Sequence, residues 1–428
     1  MKTHAPEGAL HELDHILVDG AERIEDLLSY HRNQVLCPVY TSVDIRRNRC
    51  KAAVVDANAF PAGFNNLAHR SHESAADAIR GYMGKIYPDA RELLILAESH
   101  TRNRWYFENL RTLRDLFAAA GYDVTLGTLA EELFPEATVE TARGHRVTLH
   151  GVLREGDALI ADGTVHDVVI LNNDLSSGAP DILDGLDQPV TPPPAMGWHR
   201  RRKSEHFRIV NELGRQLGAY VGFDPWLVSA DFRKVDGVDF KARDGLDQVA
   251  AAVDDVLATV VAKYDEYGVE REPHAFVKAD AGTYGMGVMS VRSGEEFLRI
   301  NSRGREKMAK GKEGVPTTSV IVQEGVHTSL RAATGVAEPV MYMVCGRVVG
   351  GFNRVHGKRG ETESLNAPGS TFEPLAFTTQ GGTPGPDEAV LDPVSAHVYQ
   401  VLGEVASIAT GYELRFADEV GAALPTYP

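Results

Sequence analysis

The chain has 428 residues, 43% of them hydrophobic and 24% charged, an ordinary soluble composition that at roughly 150 residues per domain predicts two or three domains. Lys plus Arg number 44 against 60 for Asp plus Glu, a formal charge of -16, which argues against a nucleic-acid binder or a protein held on an anionic membrane; any anionic substrate must be met by a local cluster of cations. Cys37, Cys50 and Cys345 form no Cys-x-x-Cys pair, the N-terminus lacks the apolar core of about 7–15 residues of a secretion signal, and no apolar run of about 20 residues suggests a membrane span, so a reducing, cytoplasmic setting is expected.

In chain order, the first segment reads as a helical lead-in, with Ile16, Ile24, Leu27 and Leu28 at helical spacing. Two short β-type runs in SVDIRRNRCKAAVVDANAFPAGFNNL (Ser42 to Leu67) predict a hairpin followed by a Pro- and Gly-containing loop. A helix is expected from Ser74 to Ile86. At Glu92, ELLILAES is a continuous apolar run of strand length, as in a strand buried on both faces. The stripe Tyr106, Leu110, Leu113 and Phe117 marks a helix that stops at Gly121. YDVTLGTL, a Gly-punctuated β-rich stretch, and DVVILNND complete an α/β unit. Its strand ends carry Glu98, Ser99, Asn173 and Asp174. Ligands bind beyond the carboxyl ends of such strands, so these are site candidates or strand caps.

The proline run Thr191 to Pro194 suggests a domain boundary, giving units 1–90, 91–190 and 191–428. A basic-headed helix follows from RRRKSEHF, and Val249, Val253, Val256 and Val260 mark another. HAFVKADAGTYGMGVMSV then pairs a strand, a glycine-rich turn and a strand; SVIVQEGV is a further strand; EPVMYMVCGRVVGGFNRV reads as two strands joined at Gly346; and a last helix covers Ala396 to Ala409. No Gly-x-Ser-x-Gly elbow is present, so a covalent hydrolase is not expected.

The strongest chemical signal is Lys278 at a strand end before Gly282, Gly285 and Gly287. Small residues let backbone N–H groups approach phosphate oxygens, and the lysine supplies a compact charge. Strand, turn, strand is the wrong context for a Walker A loop or a Rossmann fingerprint, and a plain hairpin tip is the other reading. The order of parts resembles the ATP-grasp superfamily, in particular the bacterial glutathione synthetases and related carboxylate–amine ligases. That resemblance implies ATP-contacting roles for Lys203, for Lys278 with Gly282, Gly285 and Gly287, and for an adenine hinge at Gln323, Glu324 and Val326. It places Arg354 and Asn366 in FNRVHGKRGETESLNAPGS at the reaction centre.

The superfamily carries its magnesium ligands on the last strands, as Val-Asp-Ile and then Glu-x-Asn before a proline. Here Ser42-Val43-Asp44-Ile45 and Val55-Asp56-Ala57-Asn58 reproduce that pattern near the N-terminus, with Asp for Glu. Alternation puts Asp56 and Asn58 on one face, as ligands of one hard-oxygen cluster must be. The resemblance thus implies an α/β (α+β) ATP-grasp fold, circularly permuted, with Asp44, Asp56 and Asn58 as magnesium ligands and a Rossmann-like unit before the lid region.

The phrases SVDIRRNRCKAAVVDANAFPAGFNNL, AESHTRNRWYFENL, LNNDLSSGAPDIL and MGWHRRRKSEHF together resemble the proteobacterial-type glutamate–cysteine ligases, over about Ser42 to Leu375. The resemblance implies ATP- and Mg2+-dependent joining of the small molecules glutamate and cysteine, with no nucleic-acid or membrane partner; a homo-oligomer is compatible with it. Lys278 and Arg354 become the catalytic cations. Arg46, Arg102 and Arg104 are candidates to hold substrate carboxylates, Asn65 and Asn66 to bind the glutamate head group, and Ser99, Asn173 and Asp174 to line the substrate site. Another ATP-grasp ligase, glutathione synthetase-like, and a non-catalytic nucleotide-binding regulator are the alternatives.

Overall fold

The structure, a computed structural model, describes residues 7–99, 102–282, 287–311, 314–377, 385 and 387–428, with the backbone alone for 7–11. The lead-in is two helices, Glu7–Asp19 and Ala21–Gln34. Next comes the expected hairpin, Tyr40–Arg47 returning as Ala52–Asn58. Its turn is held by Asn48, whose side-chain oxygen accepts from the backbone N–H groups of Cys50 (2.7 Å) and Lys51 (3.0 Å), an Asx-type turn.

Tyr40–Arg47 pairs antiparallel with Gly335–Val344, Ser42 standing opposite Tyr342, and Gly335–Val344 pairs in turn with Arg347–His356. The sheet runs Ala52–Asn58, Tyr40–Arg47, Gly335–Val344, Arg347–His356, Thr371–Phe377, Ala389–Leu391. Strands from the start of the chain therefore complete a sheet built otherwise from its last third, as the permuted reading requires. The ladder between hairpin and partner ends at the pair Asp44 and Val340, where the hairpin strand shifts register. Pro339 follows, and a proline cannot donate to a ladder. Beyond that point side chains take over from backbone pairing.

The face bearing Val43 and Ile45 packs with Met341 and Met343 against the long helix Pro393–Arg415, through Val398, Leu402 and Val405. Asp44 and Arg46 face the opposite way. A second sheet runs Val190–Thr191, Val168–Asn172, Glu92–Ala97, Asp123–Thr128, Arg146–Gly151, Glu136–Glu140. Every pair is parallel except the last. The continuous apolar run of Glu92–Ala97 is explained by cover on both faces: Leu93 and Ile95 pack with helices Ser71–Ile86 and Arg104–Ala119, while Leu94 and Leu96 pack with Met196 and Leu183. A third, antiparallel sheet runs Phe232–Asp236, Ser319–Glu324, Ala275–Ala279, Val288–Val291. Helices Lys203–Val221 and Leu246–Tyr267 share its apolar core.

Phe232–Asp236 and Thr371–Phe377, with the short strands Val190–Thr191, Arg331–Ala332 and Ala389–Leu391, have no counterpart in the sequence reading. The helix expected from Ser74 begins at Ser71, a residue buried against Gly350. If the hairpin is an integral part of the central sheet, Ile45→Ala, which hollows a fully buried site, should lower unfolding stability by roughly 2–5 kcal/mol in urea denaturation. A loss below about 1 kcal/mol would make the hairpin peripheral.

Candidate active site

The cleft that matters forms where the hairpin meets the third sheet. Asp44 and Asp56 stand opposite each other across the hairpin. Like charges in such a pair repel, and each is answered by a cation from a distant segment. Lys203, the first residue of its helix, donates to Asp56 Oδ1 at 2.5 Å. Arg354 donates to both Asp44 oxygens and, at 2.8 Å, to Glu338 Oε1. Lys278, near the end of Ala275–Ala279, donates to Gln323 Oε1 (2.7 Å) and to the Val55 carbonyl (3.0 Å). Asp44, Asp56, Lys203, Lys278 and Glu338, with Gly282, Phe276, Ser364 and Asn366, enclose about 590 Å3, part of it open to solvent; Arg354 and Gln323 do not line it and reach it through their contacts to Asp44 and Lys278.

Burial works against ionisation of Asp56, but Lys203 and Lys278 outweigh it and hold the carboxyl below the usual range. Burial drives Lys278 down to about 8; Asp56 resists that shift and the like charge of Lys203 adds to it. Burial pushes Asp44 up, against the pull of Arg354. Glu338 is held low despite burial, by Arg46 and Arg354.

Other expected site residues are placed differently. Arg46 borders the cleft, but its guanidinium donates to Glu338 Oε2 (2.9 Å) and to the carbonyls of Val326 (3.2 Å) and Glu363 (2.5 Å), so it acts as an internal strut rather than a carboxylate clamp. The Glu324 side chain turns to Lys51, at 2.8 Å, and Val326 packs with Ala53 and Ala230; neither lines the cleft. Asn58 Oδ1 accepts from Phe60 N–H at 3.0 Å. Asn173 and Asp174 cap their own loop, accepting from Leu175 and Ser176. Ser99 and Arg102 are exposed, and Arg104 pairs with Glu140 at the surface. Asn65 and Asn66 line a separate cleft with Glu98 and Arg143. Gly287 takes φ 61° immediately before Val288–Val291; Gly285 lies outside the described residues.

The model of a family described as "Glutamate-cysteine ligase" matches residues 14–414. The chain belongs to the glutamate–cysteine ligase family. A provisionally assigned gamma-glutamylcysteine synthetase from Methylobacillus flagellatus KT is 40% identical, with a TM-score of 0.87 over 97% of this chain and 98% of that one. A D-alanyl-alanine synthetase A from Vibrio cholerae O1 biovar eltor str. N16961 is 10% identical over 59% of this chain and 67% of that one, with a TM-score of 0.27, too slight a likeness to carry an argument. Comparison with curated proteins finds no match.

Sequence reasoning passed over three groups in this ligase. Glu338 is a lone carboxylate inside an otherwise apolar strand, which was the signal available. Arg201 donates to both oxygens of Glu413 (2.7 and 3.0 Å) and to the Ala57 carbonyl (2.7 Å), and His206 Nδ1 lies 2.5 Å from Glu413. This buried knot ties the Lys203 helix and the last helix to the backbone beside Asp56. The segment His11-Glu12-Leu13-Asp14-His15 has the spacing of a zinc-binding helix, but among the described residues no group of three metal-type side chains exists. Among the described residues no helix is long and apolar enough to cross a membrane.

Because burial lowers Lys278 and Asp56 opposes the shift, its ammonium should lose its proton as pH rises through about 8. Removing the Asp56 charge in Asp56→Asn should lower that titration further, and Lys203→Met should raise it. NMR of labelled lysine reads both; titration near the ordinary value, unmoved in either variant, would contradict the geometry.

Proposed function

We propose that this ligase joins the γ-carboxyl of glutamate to the amine of cysteine, with ATP as the energy source and magnesium as cofactor, in the cleft between hairpin and Lys278 strand. What carries the reading is Asp56 bracketed by Lys203 and Lys278, next to Gly282, whose φ of 101° turns the backbone at the cleft. A carboxylate is a poor acyl donor because its leaving group would be oxide. Transfer of the ATP γ-phosphoryl group gives γ-glutamyl phosphate, from which the cysteine amine displaces phosphate.

Both steps gather negative charge on oxygen, so preorganised cations contribute more than a general base. Lys203 and Lys278 hold the phosphates. Arg354, fixed by Asp44 and Glu338, presents its charge to the acyl oxygens beside Asn366. Gln323 sets the Lys278 ammonium, and the main chain from Glu324 to Val326 forms the adenine hinge. The donor chemistry fits magnesium: Asp44 and Asp56 offer hard oxygens facing each other, with Asn58 the next residue on that face. Among the described residues no ready-made group of three metal-type side chains exists, so substrate phosphates would complete the shell. When bound, the ion supplies charge opposite the transferring oxygens.

In this reading the fold is a permuted ATP-grasp, with units at 1–90, 91–190 and 191–428. Its partners are small molecules in the cytoplasm, and a homo-oligomer stays compatible.

Purified protein with ATP, magnesium, glutamate and cysteine should give a product of the mass of γ-glutamylcysteine and release phosphate. Asp56→Asn should cut that rate by about a hundredfold or more. Lys278→Ala should raise the KM for ATP more than that for glutamate. Phosphate release unchanged in both variants would remove the cleft from the chemistry.

A further inference from the structure

A second cleft lies where the parallel sheet meets the central one. From Glu92–Ala97 the chain moves through a helix to Asp123–Thr128 on one side, while Val168–Asn172 lies on the other. This reversal is a topological switch point, and open α/β sheets bind ligands outside the carboxyl ends of the strands there. The Tyr106 hydroxyl pins that opening: it accepts from Glu98 N–H at 2.9 Å and donates to the Asn172 carbonyl at 2.7 Å. Glu98 is only 6% exposed and lines the cleft with Asn65, Asn66, Trp105, Arg143 and Phe372.

We infer that this cleft receives the head group of an amino-acid substrate, its ammonium at Glu98 and its α-carboxylate at Arg143. The inference rests on the ligase reading for the reaction that consumes the substrate, and on three observations for the site. First, a buried carboxylate and an exposed guanidinium face one opening, the charge pattern of a zwitterion's two ends; Arg143 gives one N–H to the Asn65 carbonyl, at 3.3 Å, and a bidentate contact suits what remains. Second, the guanidinium that lines the reaction cleft, that of Arg46, is spent on Glu338 and backbone carbonyls, so an α-carboxylate finds its clamp elsewhere. Third, the two clefts adjoin. Phe372 stands directly across from Arg354 in neighbouring strands, about 5 Å away on the same face, and the loop that places Asn366 in one cleft places Ser370 in the other. A substrate anchored at Glu98 and Arg143 extends its far end toward the acyl centre. Trp105 and Phe372, 55% and 46% exposed, form the apolar walls along which its carbon chain lies.

Glutamate and cysteine share this head group, and the experiment separates them. In steady-state assays with ATP, glutamate and cysteine varied in turn, Glu98→Gln and Arg143→Gln should each raise the KM of one amino acid by about tenfold or more, the loss expected for a charge-assisted hydrogen bond, with the KM for ATP little changed. A rise for glutamate makes the cleft the donor site, and a rise for cysteine makes it the acceptor site. Arg143 is exposed, so its variant should keep the wild-type melting temperature even if the buried Glu98→Gln variant does not. In parallel, tryptophan emission titrated with each amino acid in the absence of ATP should shift for one of them, and Trp105→Phe should abolish the shift. Unchanged amino-acid KM values in Arg143→Gln, or an equal rise for ATP, would overturn the site while leaving the ligase reading intact. Wild-type protein that makes no γ-glutamylcysteine yet titrates through Trp105 would do the reverse.

Discussion

Four buried charges hold this structure together. Arg354 grips Asp44 and Glu338, and Arg46 grips Glu338 from the other side, in a ladder whose members are mostly removed from solvent, Asp44 the least so. Any one of them alone would lose several kcal/mol in desolvation. The ladder is satisfied only when the hairpin carrying Asp44 and Arg46 lies against the strands carrying Glu338 and Arg354, segments far apart in the chain. It begins where backbone pairing stops, at Pro339 and the register shift after Asp44. Side-chain ion pairing thus continues a ladder that proline and the bulge interrupt, and in doing so holds Asp44 at the cleft.

The same reasoning explains how lysines of like charge coexist there. Lys203 and Lys278 both act on Asp56, and the low position of that carboxyl together with the depressed position of Lys278 are two sides of one crowded arrangement. In the proposed reaction phosphate oxygens would relieve this crowding, offering additional negative charge to two cations that share one carboxylate. Lys203 also lies over Trp198, at 4.4 Å from the ring centre, a cation–π contact that supports its position. The knot of Arg201, His206 and Glu413 then fixes the helix from which it projects.

Much of the fold could be read from the chain because local periodicity and local burial agree. The run Leu93–Ala97 is apolar because both its faces are covered, and the Val-Asp-Ile run alternates because Val43 and Ile45 share the core with helix Pro393–Arg415 while Asp44 meets the cleft; in the second run the register shift puts Val55 at the cleft with Asp56, and Ala57 joins the core. Phe232–Asp236 escaped because it is an edge strand with charged residues, which reads as loop. Thr371–Phe377 escaped because Pro374 and an exposed Phe372 break its pattern. Asp44, Asp56, Lys203, Lys278, Gly282 and Asn366, which the resemblance alone brought together, line one cleft. Arg46 looked like a substrate clamp because nothing local reveals that its donors end on carbonyls about 280 and 317 residues away in sequence. Glu324 looked free for the same reason, its partner Lys51 being far along the chain.

The most direct measurement is a crystal structure with a non-hydrolysable ATP analogue and magnesium. The account predicts terminal phosphates between Lys203 and Lys278, with the metal about 2.0–2.1 Å from carboxylate oxygens of Asp44 or Asp56. Phosphates bound elsewhere, or a metal held by Glu404, Glu413 or Asp418, would contradict it.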